Sequence, residues 1–314
     1  MSSGLAAVAA ALDGARRVAV YCHIRPDADT IGSGLALAGV LRARGAEVSV
    51  SHPGPALPSG IGRLVEEDSF SVPLDAADVS VAVDCASLER LGELGQSFQA
   101  APVRVVIDHH ATNAGFGTVN LVDTAANSTT ELVLAVSDEL GVEIDAHTAD
   151  CLYAGLVTDT GSFRWSTPSG HVIAARLIEA GASYRELTRE LLDSHPRAWF
   201  TMAAEVLGSA RARLDAFDGL GVVYAVCSRD DRGALGWDAA ESLIDVLRTA
   251  EDCEVAVLFK EGEPGVWSAS LRARSAVDVS AFARDAGGGG HRLAAGYTTV
   301  GTADEVVRAF LDRV

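Results

Sequence analysis

The chain has 314 residues, of which 48% are hydrophobic, and its 43 acidic and 25 basic residues give a formal net charge of −18. This length favours two domains over one, and the hydrophobic content is sufficient for each to bury a core. A surface this acidic argues against long nucleic acid and anionic membranes as partners, but it leaves room for a small phosphorylated substrate.

The five cysteines are scattered along the chain and form no Cys-x-x-Cys pair. This pattern favours reduced thiols packed as small apolar residues and predicts a cytoplasmic protein. The N-terminal run from Leu5 to Leu12 lacks a basic start, so we expect a helix there and not a signal peptide. No apolar run reaches the roughly 18 residues that a membrane span needs, so no membrane partner is expected.

Strand-like and helix-like segments alternate over the first part of the chain. We predict strands at 18–23, 47–51, 79–84 and 103–108, and helices at 30–44, 128–140, 147–158 and 169–180. This alternation is typical of a mostly parallel sheet with helices on both faces.

The pattern changes after residue 183. Two helix-like segments, 184–192 and 197–214, are separated by His195-Pro196. Beyond them we predict strands at 221–227, 254–259 and 267–271, and helices near 238–250, 278–285 and 303–313. The sequence therefore predicts an α/β fold in three parts: a mostly parallel-sheet domain over 1–190, a helical connector over 191–213, and a smaller α/β domain over 214–314.

Four apolar segments run directly into acidic residues and histidines. The first segment is followed by His23, Asp27 and Asp29, and the second by Asp84. The third is followed by Asp108, His109 and His110, and the fourth by Asp159. Buried parallel strands have such compositions, and ligands of open α/β sheets bind beyond the carboxyl ends of the strands. If four such ends converge, like charges would raise one another's pKa values until some groups became neutral. Divalent cations would relieve this repulsion, so the pattern predicts a metal site.

Most of these motifs have a simpler explanation when each is taken alone. Asp27 or Asp29 could cap a helix beside a buried His23, Asp84 could be a cap or a turn residue, and Asp159 begins an ordinary turn sequence. We expect these residues to bind metal only if the fold brings their side chains together.

The triplet Asp108-His109-His110 is more specific. Adjacent side chains near the end of a strand point in different directions, so one histidine can bind a metal while the other faces a substrate. The carboxylate of Asp108 can orient a ring nitrogen.

Together these motifs resemble those of the DHH phosphoesterase superfamily, which is named for this triplet. The glycine run 287–290 with His291, preceded by Ser270-Leu271-Arg272, is similar to the DHH-associated substrate domain. The length and order of the motifs best match the bacterial nanoRNase and 3′-phosphoadenosine-5′-phosphate phosphatase group. That group includes members that cleave linear and cyclic di-adenylates. A flexible hinge is an alternative explanation of the glycine run, whereas a P-loop is excluded because its lysine motif is absent.

The resemblance implies two metal ions per chain that share Asp84. It assigns His23, Asp27 and Asp84 to one ion, and Asp29, Asp84, His109 and Asp159 to the other. The mixed imidazole and carboxylate ligands favour Mn²⁺, with Mg²⁺, Co²⁺ or Zn²⁺ as substitutes.

The resemblance also implies roles for residues that do not bind metal. His110 would contact the scissile phosphate or protonate the leaving oxygen, and Asp108 would support it. The substrate would be bound by Arg272, Gly289, Gly290 and His291.

The implied activity is hydrolysis of short oligoribonucleotides, of two to about five nucleotides, and of 3′,5′-bisphosphoadenosine to AMP by metal-activated water. The first alternative is a phosphodiesterase for cyclic or linear di-adenylates. An inorganic pyrophosphatase or polyphosphatase, and a nucleotide sensor without turnover, are further alternatives. Small nucleotides or short RNA are thus the expected partners, and a homodimer is left open.

Overall fold

The computed structural model describes residues 2–54 and 57–314, and the chain divides into two compact units between Ser194 and His195. The finer division, with a connector over 191–213, stays a prediction.

The elements of the first unit alternate as the sequence predicts. They are α1 (Ser2–Leu12), β1 (Arg17–Tyr21), α2 (Ala28–Ala43), β2 (Glu47–Ser51), β3 (Val79–Val83), α3 (Gly95–Ala100), β4 (Val103–Asp108), β5 (Val119–Val122), α4 (Thr129–Glu139), α5 (Ala146–Asp159), α6 (Pro168–Glu179) and α7 (Tyr184–Leu192). The described strands form one parallel sheet in the order β2-β1-β3-β4-β5.

Both faces of this sheet are covered, which explains the unbroken apolar runs in its strands. Val18 and Val20 of β1 pack with α2, α4 and α5, whereas the alternate residues Ala19 and Tyr21 pack on the other side with Phe98 of α3. Because Val83 of β3 pairs with Ile107 of β4, Asp84 and Asp108 emerge at the same edge of the sheet. The predicted strand ends therefore converge at this edge.

The segment before Asp159 is not a strand, so the prediction that four strand ends converge is wrong for this fourth motif. It is the second half of α5, as the helix predicted at 147–158 requires, and Asp159 is the last residue of that helix. The helix is buried over nearly its whole circumference, so its sequence has the same unbroken apolar run as a buried strand. Its close packing on α2 depends on Gly32, where a Cβ atom would lie 2.2 Å from the Cys151 carbonyl oxygen.

The second unit contains a mixed sheet. Its elements are α8 (Arg197–Gly208), β6 (Arg211–Arg213), α9 (Ala216–Gly219), β7 (Val222–Cys227), α10 (Arg229–Arg232), α11 (Leu243–Leu247), β8 (Val255–Glu261), β9 (Val266–Ala273), α12 (Val279–Asp285), β10 (Gly289–His291), β11 (Ala294–Val300) and α13 (Ala303–Leu311). The strand order is β10-β11-β9-β8-β7-β6, with β7 and β8 parallel and the other pairs antiparallel. One face of the sheet packs with α12 and α13, and the β7–β8 part of the other face packs with α8 and α11.

The predicted α/β fold class is confirmed, but two helices in the second unit are shorter than predicted. The helix expected at 238–250 is limited to Leu243–Leu247, and the helix from Arg197 ends at Gly208. The end of the glycine run belongs to β10, so Gly289 and Gly290 pair with β11.

All five cysteines are free and buried, as predicted. No helix among the described residues has both the length and the apolar character of a membrane span.

Candidate metal centre

The first group of candidate ligands forms around His23, which follows β1. Its Nε2 atom lies 3.3 Å from Oδ2 of Asp84 and 3.5 Å from Oδ2 of Asp27. The other oxygen of Asp27 caps α2 by accepting hydrogen bonds from the backbone N–H groups of Asp29 and Thr30, both at 3.1 Å. Burial lowers the pKa of His23, but the carboxylates of Asp27 and Asp84 outweigh this effect and raise it to about 9. Such a shift indicates a strongly negative environment that favours a cation.

The second group forms around His109, which follows β4. Its Nε2 atom lies 3.2 Å from Asp159, 3.7 Å from Asp84 and 3.8 Å from Asp29, measured to the nearest carboxylate oxygens. The opposite nitrogen, Nδ1, lies 3.3 Å from the carbonyl oxygen of Ala126, which fixes the orientation of the ring. The α5 C-terminus thus supplies the carboxylate nearest to His109, although Asp159 does not follow a strand.

Asp29 is fully buried, and the N-terminus of α4 binds it. Its two carboxylate oxygens accept hydrogen bonds from the backbone N–H groups of Thr129 at 2.7 Å and Thr130 at 3.0 Å. The dipole of the helix favours a negative charge at this end. Burial nevertheless raises the pKa of Asp29, and the nearby charges of Asp159 and Asp84 raise it further. A nearby cation would offset both effects.

Thr129 was not predicted from the sequence, yet it contacts two candidate ligands. Its backbone N–H group binds Asp29, and its hydroxyl group donates a hydrogen bond to Oδ1 of Asp84 at 2.9 Å. The only signal in the sequence is the pattern Ser128-x-x-Glu131, in which Ser128 caps α4. That pattern predicts the start of the helix but not the carboxylates that its first turn binds.

Asp84 lies between the two groups of candidate ligands. Its Oδ2 atom faces His23, and its Oδ1 atom faces His109 and His110, whose Nδ1 atom is 3.6 Å away. The side chain is 2% exposed, and the residue has φ of 58°, which is uncommon for a residue other than glycine. Backbone strain of this kind is concentrated at functional sites.

Asp108 contacts the side chain of His110 and also accepts a hydrogen bond from the backbone N–H group of His109 at 2.9 Å. Its Oδ1 atom accepts a hydrogen bond from Nδ1 of His110 at 2.8 Å, and its Oδ2 atom accepts one from Asn113 at 2.7 Å. Burial would raise the pKa of Asp108, but the bond from His110 and the nearby positive charge lower it. With Nδ1 held by Asp108, the Nε2 atom is the nitrogen that His110 can present to another group.

The structure therefore brings together all six side chains predicted to bind metal. The donor atoms lie within 4.8 Å of one another in the sets His23/Asp27/Asp84, Asp29/Asp84/His109 and Asp84/Asp108/His110. Imidazole nitrogens and carboxylate oxygens are ligands that suit divalent transition metals, so the residues present fit such ions. Asp84 belongs to all three sets, and the individual roles stay predictions.

The predicted substrate residues lie on the sheet of the second unit. Arg272 of β9 and His291 of β10 both pair with Ala294 of the intervening strand, β11. Directly opposed residues project to the same face of a sheet, so Arg272 and His291 share one face.

The glycines near His291 have a packing role in the structure. A Cβ atom on Gly290, which has φ of 136°, would lie 2.5 Å from the carbonyl oxygen of Ala294. A Cβ atom on Gly288 would lie 2.1 Å from the carbonyl oxygen of Gly296. The close pairing of β10 and β11 therefore requires glycine at these positions, and substrate contacts by Gly289 and Gly290 stay a prediction.

Comparison with known proteins places both units in described families. Residues 17–156 match the DHH family, N-terminal domain, and residues 219–314 match the DHHA1 domain. The bifunctional oligoribonuclease and PAP phosphatase NrnA of Thermus thermophilus is 33% identical over 288 residues, which cover 90% of this chain and 84% of the relative. These matches confirm the resemblance inferred from the motifs.

Two further similarities are more distant. The cyclic-di-AMP phosphodiesterase GdpP of Geobacillus thermodenitrificans is 24% identical over 93% of this chain, but this match covers only 46% of that protein. A crystal structure of an exopolyphosphatase-related protein from Bacteroides fragilis has a TM-score of 0.85 at 21% identity, covering 99% of this chain and 95% of the other. At that identity the similarity supports the fold alone.

Proposed function

We propose that this chain, which belongs to the DHH family of phosphoester hydrolases, is a manganese-dependent enzyme that cleaves very short oligoribonucleotides and converts 3′,5′-bisphosphoadenosine to AMP. The observation that carries the proposal is the position of Asp84. Its two oxygens face two different groups of imidazole and carboxylate ligands, as expected of a carboxylate that is shared by two cations.

The distances around each histidine support the ligand sets that the resemblance implies. His23, Asp27 and Asp84 would hold one cation, and Asp29, Asp84, His109 and Asp159 the other. When bound, two such cations lower the pKa of a water molecule and neutralise negative charge on the phosphoryl oxygens. We favour Mn²⁺ over Mg²⁺ because each set contains an imidazole, which is a poor ligand for the harder ion.

His110 is the candidate for proton transfer. Asp108 accepts a hydrogen bond from Nδ1 of His110 and therefore fixes the orientation of the ring. Burial lowers the pKa of His110, but the carboxylates of Asp108 and Asp84 outweigh this effect and raise it. An imidazolium held in this way could donate a proton from Nε2 to the leaving oxygen of the substrate. Asp108 would act by orienting His110 and stabilising its charged form.

Two observations support a small nucleotide as the substrate. The relative from Thermus thermophilus is named as an oligoribonuclease and PAP phosphatase. In addition, the net charge of −18 disfavours a long polyanion, because affinity for such a substrate depends on how many of its phosphates are neutralised. Arg272 and His291, which share one face of the second sheet, are the candidate contacts for phosphate or base.

The proposal is tested by measuring hydrolysis with metal-free protein to which Mn²⁺ or Mg²⁺ is added. The substrates are bisphosphoadenosine, linear and cyclic di-adenylate, pyrophosphate, and RNAs of two to about twenty nucleotides, a range chosen because polyanion binding changes with phosphate number. The matched control is Asp84→Asn, which keeps the shape of the shared side chain but removes its charge. We expect Mn²⁺ to restore activity on bisphosphoadenosine and dinucleotides, and the control to remain inactive. Full activity in chelator, or equal activity of the control, would contradict the metal-dependent mechanism.

The second candidate function is hydrolysis of cyclic or linear di-adenylates, which the similarity to a cyclic-di-AMP phosphodiesterase favours. The same assay separates the candidates, because this function requires the highest kcat/KM on a di-adenylate. Pyrophosphate as the best substrate would indicate a pyrophosphatase, and tight AMP binding without turnover would indicate a sensor.

A further inference from the structure

Lys260 is the only lysine in a chain with 25 basic residues, and it is buried. It lies in β8 with 5% of its surface exposed, although burying a charged group is costly unless the charge is paired and hydrogen-bonded. Its ammonium group forms an ion pair with Glu241 and donates a hydrogen bond to the hydroxyl group of Ser270 at 2.8 Å. A compact ammonium differs from the wider, planar guanidinium that the chain uses at every other basic position.

Lys260 belongs to the same face of the second sheet as Arg272. In β9 the half-buried residues Ser268, Ser270 and Arg272 alternate with fully buried ones, so these three project to one face. Lys260 pairs directly with Ser268 and therefore projects to that face too, from where its side chain reaches Ser270.

Ser270 is only partly buried; its neighbour in β8 is the buried Leu258, and its neighbours on the β11 side are small. In β11, Gly296 lies directly opposite Ser270, and Ala294 lies directly opposite Arg272. Both neighbours are small and only partly buried, so no large β11 side chain stands opposite Ser270 or Arg272.

The contact with Lys260 determines how Ser270 can form hydrogen bonds. An ammonium group can only donate, so the oxygen of Ser270 must accept in this contact. The O–H bond of Ser270 is then directed to a different acceptor, and the ammonium group beside its oxygen polarises the hydroxyl group and makes it a better donor. Ser270 and Arg272 are two residues apart on one strand, so both donors can meet one phosphate group.

We propose that Lys260 is a positioning residue that makes Ser270 a hydrogen-bond donor to the phosphate group of the nucleotide that Arg272 also binds. This inference rests on the proposed function, because it assumes that the second unit binds a phosphorylated nucleotide. It adds two residues to the predicted substrate contacts: Ser270, which would touch the phosphate, and Lys260, which would act through Ser270.

The simplest competing role is structural, with Lys260 and Glu241 joining β8 to the segment before α11. Glu241 distinguishes the two roles, because its side chain is 49% exposed and it does not contact the phosphate in our proposal. If the role is structural, Glu241→Gln and Lys260→Met both break the ion pair and should have the same effect on AMP binding. The positioning role needs Lys260 and Ser270 but not Glu241.

The test is calorimetric titration of the manganese-loaded protein with AMP. The variants are Lys260→Met, Ser270→Ala, the double variant and Glu241→Gln, with Arg308→Met as a control that removes a positive charge from the exposed side of α13. We expect each of the first two variants to bind AMP about tenfold more weakly, and the double variant to be no weaker than either, because they remove one coupled interaction. Glu241→Gln and the control should bind AMP like the wild type, and manganese content should be unchanged throughout.

A second measurement covers the case in which Lys260→Met does not fold. Protein labelled with ¹⁵N-lysine gives a single backbone amide signal, which AMP should shift in the wild type and in Glu241→Gln but not in Ser270→Ala. If AMP binds but the signal does not shift, or the effects of Lys260→Met and Ser270→Ala on affinity are additive, the positioning role is wrong and the proposed function stands. If the wild type does not bind AMP at all, the proposed function fails and this inference fails with it.

Discussion

The hydroxyl group of Thr129 provides the sharpest test of the metal centre, because Thr129→Val removes one hydrogen bond and retains the shape of the side chain. The bond to Oδ1 of Asp84 is 2.9 Å long, and both residues are buried. The backbone N–H group that binds Asp29 is unaffected by the substitution.

The expected magnitude follows from the charge on the acceptor. A hydrogen bond to a charged group contributes about 1.5–3 kcal/mol. Asp84 must be ionised and correctly oriented to bind a cation, so we expect this loss to appear as manganese affinity that is about 10- to 100-fold weaker.

The assay is titration of metal-free protein with Mn²⁺, followed by electron paramagnetic resonance or calorimetry, with the melting temperature measured separately. Thr129→Ser keeps the hydroxyl group and should retain near wild-type affinity. Thr130→Val is the matched control, because its hydroxyl group contacts Ser128 and not Asp84, while its backbone still binds Asp29. Unchanged affinity in Thr129→Val, or equally weak binding in Thr129→Ser, would refute the reasoning.

Three further predictions concern stoichiometry, binding and substrate length. Asp84→Asn should lose both metals by elemental analysis while Asp27→Asn retains about one, since Asp84 is shared between the ligand sets; equal metal content in the two variants would remove the shared role. Arg272→Ala and His291→Ala should raise KM for bisphosphoadenosine by about 10- to 100-fold with unchanged metal content, because each removes a charged contact; loss of metal in either variant would contradict their assignment. For the wild type, kcat/KM should be highest for two to about five nucleotides and should depend weakly on salt, because few phosphates are neutralised; equal rates on a dimer and a 20-mer with a steep salt dependence would instead indicate a basic groove.

The positions of His23, Asp84 and the Asp108–His110 triplet could be predicted because their physical cause is local. Strands buried on both faces need unbroken apolar runs, and polar residues directly after such runs must lie at the edge of the sheet. Parallel pairing then aligns these edges, as the register of Val83 with Ile107 demonstrates.

Asp159 and Thr129 show where the sequence is insufficient. A helix buried on all sides and a buried strand have the same composition, so the apolar run before Asp159 fits both the helix predicted at 147–158 and the end of a strand. The contribution of Thr129 to Asp29 comes from a backbone N–H group, which every residue except proline possesses. Such a contact depends on where α4 begins relative to α2, and this is a property of the tertiary fold.

The two cysteines beside the metal ligands have a consequence for resistance to oxidation. Cys22 precedes His23 and Cys85 follows Asp84, and their thiol groups donate hydrogen bonds to the carbonyl oxygens of Thr30 and Val83. Burial raises the pKa of Cys22 to about 12 and also raises that of Cys85, with Asp84 acting in the same direction.

Peroxides and electrophiles react with the thiolate form of cysteine, which is scarce in both residues at neutral pH. Thiolates are also the ligands that capture soft metal ions, so thiols held in the protonated form do not compete with the carboxylates for the cation. Both thiol groups are also fully buried, so we expect the centre to be insensitive to hydrogen peroxide and to thiol-modifying reagents.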